Sequence, residues 1–314
     1  MALSLQYKPG IWKKRRGFVR ELHSNYHLYL LGLPAVVLTI IFSILPMFGV
    51  LIAFKDYHPY VGVANSPWVG WTQFSFLSNP EFWNNFKNTA VISMMKFLVG
   101  FPAPIVLALL LNEVRHQRYK NFVQNASYLP HFVSWVIMWG VVQAMLSYDS
   151  GVVNFVLEKI GLSRILFLST PSWFYPLCVG TDILKEVGWA AIIYLAAISG
   201  VETEQYESSC LDGAGRWQQV WYITLPAIMP VISILLILRL PGLLSAGLDQ
   251  LLLMQNPSNL HLSDVLDTYI LRKGFLYGQY SLAAAMGLFN SILGMILVIM
   301  ANTVSKRTGG SGLY

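Results

Sequence analysis

The chain has 314 residues, of which 55% are hydrophobic and only 11% are charged, and its formal net charge is +6. A soluble domain normally carries roughly a quarter of charged residues, so this chain has too few charges to cover a surface that faces water. Its basic residues lie beside long apolar runs instead of forming one basic face, which argues against a nucleic-acid-binding protein. The composition therefore predicts an integral membrane protein.

Six stretches are long and apolar enough to cross a bilayer as helices, which takes about 20 mostly apolar residues each. They cover residues 28–53, 88–111, 122–146, 177–199, 226–247 and 282–304. We therefore expect an all-α polytopic membrane protein with about six transmembrane helices. Residues 28–304 would form one transmembrane domain, between a basic segment at 1–27 and a short polar tail at 305–314.

The distribution of basic residues predicts the orientation of these spans. The segment 1–27, the loop around Arg115 and Arg118, and the pair Lys306 and Arg307 all fall on one face if there are six spans. Basic residues concentrate in cytoplasmic loops, so both termini and the loop 201–225 are expected in the cytoplasm. The first apolar run is too long for the h-region of a cleaved signal peptide and is expected to remain as the first span.

The loop between the fourth and fifth spans has its own local pattern. Acidic residues precede and begin a short helix over residues 202–211, where they favour its N-terminus. Gly213 and Gly215 interrupt this helix, and an amphipathic turn with Trp217 and Trp221 follows before Pro226. The pattern predicts a helix–turn–helix that lies across the cytoplasmic face, with small side chains that let another backbone approach.

This loop resembles the EAA loop of permeases that work with binding proteins. The family pattern E-A-A-x-x-D-G-A is followed, after a spacer, by I-x-L-P; here two serines replace the two alanines. The resemblance implies that the loop docks on an ATPase, which gives an ATPase-coupling set of Glu207, Ser208, Ser209, Asp212, Gly213, Ala214, Leu225 and Pro226.

Further segments are similar to the LplB-type permeases of the maltose-type class, among them Phe54-Lys-Asp-Tyr and Tyr128-Leu-Pro-His-Phe-Val-Ser-Trp. The resemblance implies ATP-driven import of complex sugars or oligosaccharides across the bacterial inner membrane. It also implies a second permease subunit, with a heterodimer favoured, two ATPase subunits that hold ATP and Mg, and an extracytoplasmic solute-binding protein.

Ionisable residues at membrane depth are costly and default to functional hypotheses. Lys96 lies in the second span and Arg239 in the fifth, while Asp182, Lys185 and Glu186 share one face of the fourth. For those three, the alternatives are a self-neutralising cluster and a role in the pathway. For Lys96, they are neutralisation of an acid on a neighbouring helix and a direct role. Arg239 is expected to face the cavity. The basic groups would suit an acidic, uronate-containing oligosaccharide.

Sugar binding needs flat aromatic faces and planar hydrogen-bonding groups. With Lys96 and Arg239, the candidates for the translocation path are Trp135, Trp139, Gln143, Trp189, Tyr194 and Asn290. Each tryptophan taken singly has the alternative of packing against lipid or anchoring the span at the interface.

The sequence has no glycine-rich phosphate loop followed by Lys, so the chain is not expected to bind ATP or another cofactor. The six histidines show no ligand spacing, and no metal site or catalytic residue is predicted. Two other functions would leave their own patterns. A secondary transporter would show internal repeats. A membrane-embedded enzyme would cluster His, Asp or Glu at one depth. Neither pattern is found in the sequence.

Overall fold

The computed structural model describes residues 26–307. The chain divides into two compact units, residues 1–51 and 52–314. Apart from a single bridge between Lys55 and Trp68, the described residues form helices and loops. Most of the basic segment predicted at 1–27 and most of the tail at 305–314 lie outside the described residues.

Four continuous helices are long and apolar enough to cross a membrane, and two bent helix pairs bring the number to as many as six. We number the spans in chain order: Tyr26–Phe54, Pro80–Glu113, Gln117–Phe132 with Trp135–Leu146, Phe174–Ser199, Arg216–Leu244 and Tyr280–Thr303. The last helix continues to Arg307. The predicted all-helical fold with about six spans is confirmed.

Between the spans, two sets of loops lie on opposite faces. The short connections 114–116 and 200–215 lie on one face, which we call the loop face, and the second carries the helix Thr203–Leu211. The longer connections lie on the opposite face. They carry the helices Gly62–Asn65, Gly70–Ser78, Val152–Lys159, Leu248–Met254, Leu260–Ser263 and Leu266–Leu271.

Span 3 differs from the single straight helix expected over 122–146. Its two halves meet at an angle of 111°. Pro130 lies in a 3₁₀ turn, Leu129–Phe132, at the end of the first half, and Ser134 is extended and caps the second half by accepting a hydrogen bond from the N–H of Ile137. Hydropathy averages over such a break, so the composition of the stretch did not show it.

Span 5 begins at Arg216, ten residues before the expected start at Pro226. A π-turn over Val220–Thr224 directly precedes this proline, and the N–H of Leu225 bonds to the C=O of Val220. Because proline has no N–H and its ring crowds the carbonyl four residues earlier, the wider π-turn lets the helix continue. Pro46 in span 1 follows the π-turn Ile40–Ile44 in the same way.

Span 4 lies at the centre of the second unit. A Cβ added at Gly188 would come within 2.0 Å of the backbone oxygen of Ser127, so span 4 and the first half of span 3 cross in backbone contact. Further along the span, Ala191 and Tyr194 are buried with Ala108 of span 2 and Ile228 of span 5. Residues of spans 2, 3 and 5 therefore surround the ionisable residues of span 4.

Candidate functional sites

A buried polar network, which we call the polar seam, joins span 2 to span 4 and to the helix Leu248–Met254. The ammonium of Lys96 donates to the C=O of Ala246 at 2.7 Å, contacts the Oε1 of Gln250, and lies 3.2 Å from the Oδ1 of Asp182. The amide of Gln250 donates to Thr181 Oγ1 at 2.8 Å. An ammonium has three N–H donors, so Lys96 is fully engaged and fixes three elements together.

Lys185 belongs to a second network, at the break in span 3. Its Nζ donates to the carbonyl oxygens of His131 at 2.7 Å and Val133 at 2.8 Å. These carbonyls have lost their helical partners because the helix ends there, and a buried cation satisfies them. The Nδ1 of His131 lies 2.9 Å from the Oε2 of Glu186, within hydrogen-bond distance. The ring of His131 stacks on Trp189, with 4.7 Å between the ring centroids.

Asp182, Lys185 and Glu186 therefore do more than neutralise one another. Lys185 and Glu186 do approach each other, at 3.9 Å. Their shorter contacts, however, reach span 2 and the break of span 3, as described above. The three residues share a face of span 4 because that face meets those elements.

A cavity of about 250 Å³ lies beside these networks, between spans 2, 4 and 5. Its lining includes Asp182, Glu186, Trp189, Tyr194 and Arg239. Arg239 is exposed and also lines a neighbouring cavity of about 290 Å³. Within residues 26–307, no carboxylate or hydrogen-bond acceptor pairs with the guanidinium of Arg239. A cation that faces open space without an anion is suited to bind one.

The structure brings together some of the residues predicted for the path and separates others. Arg239, Trp189 and Tyr194 line one cavity, and Lys96 lines the next with Arg239. The rest of the set lies elsewhere: Trp135 lies under the ammonium of Lys185, Trp139 packs against a buried cluster, Gln143 is exposed on the second half of span 3, and Asn290 donates to the C=O of Leu244.

A charged cluster that was not predicted from the sequence lies on the face opposite the loop face. Arg272 holds Asp264 in a bidentate pair, with N–O distances of 3.0 and 2.6 Å. The hydrogen bond to Asp264 raises the pKa of Arg272 above its usual value. Lys273 lies 3.6 Å from Glu81, and the hydroxyl of Tyr269 donates to the same carboxylate. Burial, followed by the nearby Glu81, raises the pKa of Tyr269 to about 12. The cluster fixes the connection before span 6 to the start of span 2.

On the loop face, the predicted helix–turn–helix is present. The helix Thr203–Leu211 ends at Gly213, whose φ of +80° is accessible to glycine at little cost. Tyr206 Oη lies 2.9 Å from Thr224 Oγ1, and the amide of Gln219 donates to Ser209 Oγ at 2.9 Å. These bonds fix the loop helix against the start of span 5.

The residues of the predicted coupling set fall into two groups in this loop. Those exposed are Glu207, Ser208, Asp212, Gly213 and Pro226, and those partly buried are Ser209, Ala214 and Leu225. Beside them, Leu211 is 90% exposed and Trp217 is 75% exposed. Large apolar side chains beside a charged helix, held on a fixed turn, are typical of a surface that another chain covers.

Up to six apolar spans, a cavity between spans 2, 4 and 5 that Arg239 lines, and a helical turn on the loop face are the features of a membrane transport subunit. The chain belongs to the family described as "Binding-protein-dependent transport system inner membrane component", whose model matches residues 100–310. It is therefore a multi-pass inner-membrane permease and is not itself an enzyme. Within the described residues, no three His, Cys, Asp or Glu side chains are grouped so that they could hold a metal ion.

Two relatives from Bacillus subtilis (strain 168) match nearly the whole chain. Protein LplB is 45% identical over 298 residues, which is 95% of this chain and 94% of the relative. The polygalacturonan/rhamnogalacturonan transport system permease protein YteP is 42% identical over 303 residues, 96% of this chain and 94% of the relative.

Among solved structures, the chain is similar to one from a bacterial ABC transporter involved in the import of the acidic polysaccharide alginate. The identity is 39% and the TM-score 0.85, over 93% of this chain and 99% of that one. The alginate transporter in complex with an alginate pentasaccharide-bound periplasmic protein matches with a TM-score of 0.86 at 39% identity, over 95% of this chain and 100% of that one.

Proposed function

We propose that this permease imports acidic, uronate-containing oligosaccharides and forms half of their translocation path. The observation that carries the proposal is Arg239, a guanidinium without an ion-pair or hydrogen-bond partner among residues 26–307, on the wall of a cavity between spans 2, 4 and 5. A guanidinium matches a carboxylate with two parallel hydrogen bonds, and Trp189, which is 45% exposed beside it, offers an aromatic face for a sugar ring.

The relatives support an acidic substrate. One relative belongs to a transport system for polygalacturonan and rhamnogalacturonan, and the similar solved structures concern alginate, an acidic polysaccharide. In this chain Lys96 is fully bonded within the polar seam, so we assign it to the wall of the path and leave the carboxylate to Arg239.

The chain would work in a complex. Its partners would be a second, different permease subunit, two ATPase subunits that hold ATP and Mg, and an extracytoplasmic binding protein that delivers the substrate. Both termini and the loop 201–226 would lie in the cytoplasm, with residues 28–304 as the permease domain. This orientation places the loop face towards the ATPases.

Coupling would be mechanical. The exposed side of the helix Thr203–Leu211, with Glu207 and Asp212, would seat in a groove of an ATPase subunit. Because Tyr206 and Gln219 tie this helix to the start of span 5, a displacement of the loop by the ATPases would be transmitted to span 5. That span carries Arg239, so the movement would change which side the cavity faces.

Uptake by the complex in liposomes tests the proposal. With ATP inside and the binding protein outside, we expect uptake of alginate or oligogalacturonate fragments. Arg239→Gln should lower uptake of the acidic oligosaccharide about tenfold, the value of one charge-assisted hydrogen bond. The matched control is Lys87→Gln, an exposed cation on span 2 outside the cavity.

Two results would contradict the proposal. Uptake that proceeds without ATP would point to a secondary transporter. An Arg239→Gln complex that still takes up the acidic oligosaccharide at the wild-type rate would remove Arg239 from the path.

A further inference from the structure

The segment Ser245–Gly247 lies between two cavities. It connects the 3₁₀ turn Leu240–Leu244, which ends span 5, to the helix Leu248–Met254. On one side it lines the cavity of about 290 Å³ that contains Arg239. On the other side, Ser245 also lines a cavity of about 510 Å³ on the opposite face, together with Tyr57, Asp267 and Tyr280. The segment is thus a thin partition between the interior cavity and an outer one.

Two charged side chains hold this partition from opposite sides. Lys96 donates to the C=O of Ala246 at 2.7 Å. Asp267 accepts a hydrogen bond from the hydroxyl of Ser245, the residue before Ala246, at 2.8 Å. The carbonyl of Ala246 is therefore held by a cation and the side chain of Ser245 by an anion, and we call this pair of contacts the clamp.

The backbone of the partition makes a left-handed turn at Gly247, next to the clamp. Gly247 has a φ of +92°, and a Cβ added there would lie 3.3 Å from the Nζ of Lys96. The left-handed turn therefore favours glycine, and a larger residue would also crowd the ammonium of Lys96. A left-handed glycine also gives the segment the freedom to take up a second conformation.

The clamp can open because Lys96 keeps other partners and Asp267 borders a cavity. When Lys96 releases Ala246, it still has Asp182 and Gln250. Asp267 borders the outer cavity. Burial raises the pKa of its carboxyl, whereas the hydrogen bond from Ser245 and the nearby backbone of Ala246 lower this pKa. Opening therefore breaks the hydrogen bonds from Lys96 to Ala246 and from Ser245 to Asp267, and it leaves Lys96 paired and Asp267 beside the outer cavity.

We propose that Ser245–Gly247 is a movable partition in the translocation path, and that Lys96 and Asp267 are the positioning residues that latch it shut. Release of the latch joins the outer cavity to the cavity that contains Arg239. The inference rests on the proposed transport function, and it adds the element that separates the outer entrance from the substrate site.

A reversible cross-link tests whether the partition must move. The variant pair Ser245→Cys and Asp267→Cys, in a Cys210→Ser background, places thiols on two side chains that are in contact. In the liposome complex, oxidation should abolish ATP-dependent uptake and dithiothreitol should restore it. Each single cysteine variant is the control: whatever its own rate of uptake, the same oxidant should leave that rate unchanged.

The state dependence of the cross-link makes this test sharper. We expect the disulfide to form readily in the resting complex. In the complex trapped with ATP, vanadate and loaded binding protein, its formation should fall at least tenfold, because one latch has to open for the cavities to join. A cross-linked complex that transports at the rate of the reduced one, or equal cross-linking in both states, would overturn the proposal.

A second pair of variants needs no cysteine. Asp267→Leu should raise ATP hydrolysis in the absence of the binding protein about tenfold, because one side of the clamp is lost. Asp249→Leu, an exposed carboxylate two residues beyond Gly247, is the matched control and should leave it unchanged. Unchanged hydrolysis in Asp267→Leu would refute the latch. Failure of wild-type uptake would refute the proposed transport function instead, so the two failures are distinguishable.

Discussion

The polar seam and the loop 200–215 differ in whether their side chains find partners within this chain. In the seam, the ammonium of Lys96 has three acceptors, all within the chain, and is only 8% exposed. In the loop, Leu211 is 90% exposed, although hydrogen bonds fix the loop helix against span 5. The chain itself satisfies the polar groups of the seam, whereas the loop leaves large apolar side chains exposed on a fixed backbone, as expected of the docking surface proposed above.

The difference teaches where substitutions should act. Changes in and around the seam should affect stability, because buried polar groups in a bilayer have no water as an alternative partner. Changes on the exposed side of the loop should spare stability and affect assembly. Four predictions, from the largest expected effect to the smallest, test this division.

The largest effect is expected at the crossing of spans 3 and 4. In Gly188→Val the new side chain would meet the backbone of Ser127, where even a Cβ is only 2.0 Å from the oxygen. Backbone atoms on two helices cannot move apart without opening the bundle, so the variant should yield no folded protein on size-exclusion chromatography in detergent. Gly180→Ala, on the same helix with nothing within 4 Å of its Cβ, should elute like the wild type.

Next comes Lys96→Met, which leaves the carboxylate of Asp182 without its cation. Removal of one partner of a buried pair costs about 3–5 kcal/mol, and thermal unfolding in detergent should show the loss. Lys87→Met, the exposed lysine on the same span, is the matched control. A wild-type melting temperature for Lys96→Met would mean that the seam is not the stabilising element described here.

A smaller effect, and one of a different kind, is expected at the loop. Leu211→Asp should leave the melting temperature within the range of surface substitutions, about 0.5 kcal/mol. It should weaken co-purification with the ATPase subunits at least tenfold, by placing a charge in an apolar contact. Leu162→Asp replaces an exposed leucine on the opposite face and should retain the ATPases. Equal ATPase recovery for both variants would contradict the assignment of the loop.

The smallest effect is expected from Tyr206→Phe, which removes the hydroxyl bonded to the buried Thr224. One neutral hydrogen bond contributes about 1 kcal/mol, so the melting temperature should fall slightly. Because this bond ties the loop helix to span 5, the ratio of transport to ATP hydrolysis should fall further than stability does. A variant with normal coupling would show that span 5 is driven through other contacts.

The sequence predicted the parts of this molecule that follow from local chemistry. Apolar runs identified the spans because a bilayer accepts little else. The spacing of Asp212, Gly213 and the downstream Leu225-Pro226 identified the loop, since its turn needs a glycine and its helix needs only local residues. These features depend on near neighbours in the chain.

Tertiary structure alone decided which charges meet. Lys96 and Asp182 are 86 positions apart in the sequence, and the break in span 3 depends on Lys185 from another helix. A hydropathy average over this stretch does not reveal the break at Pro130. The carbonyl groups freed by the break are satisfied by Lys185, which lies far away in the sequence. Composition therefore determined that this chain lies in a membrane. The packing of its helices determined that Arg239 lines a cavity with no ion-pair partner among residues 26–307, while Lys96 and Lys185 are paired.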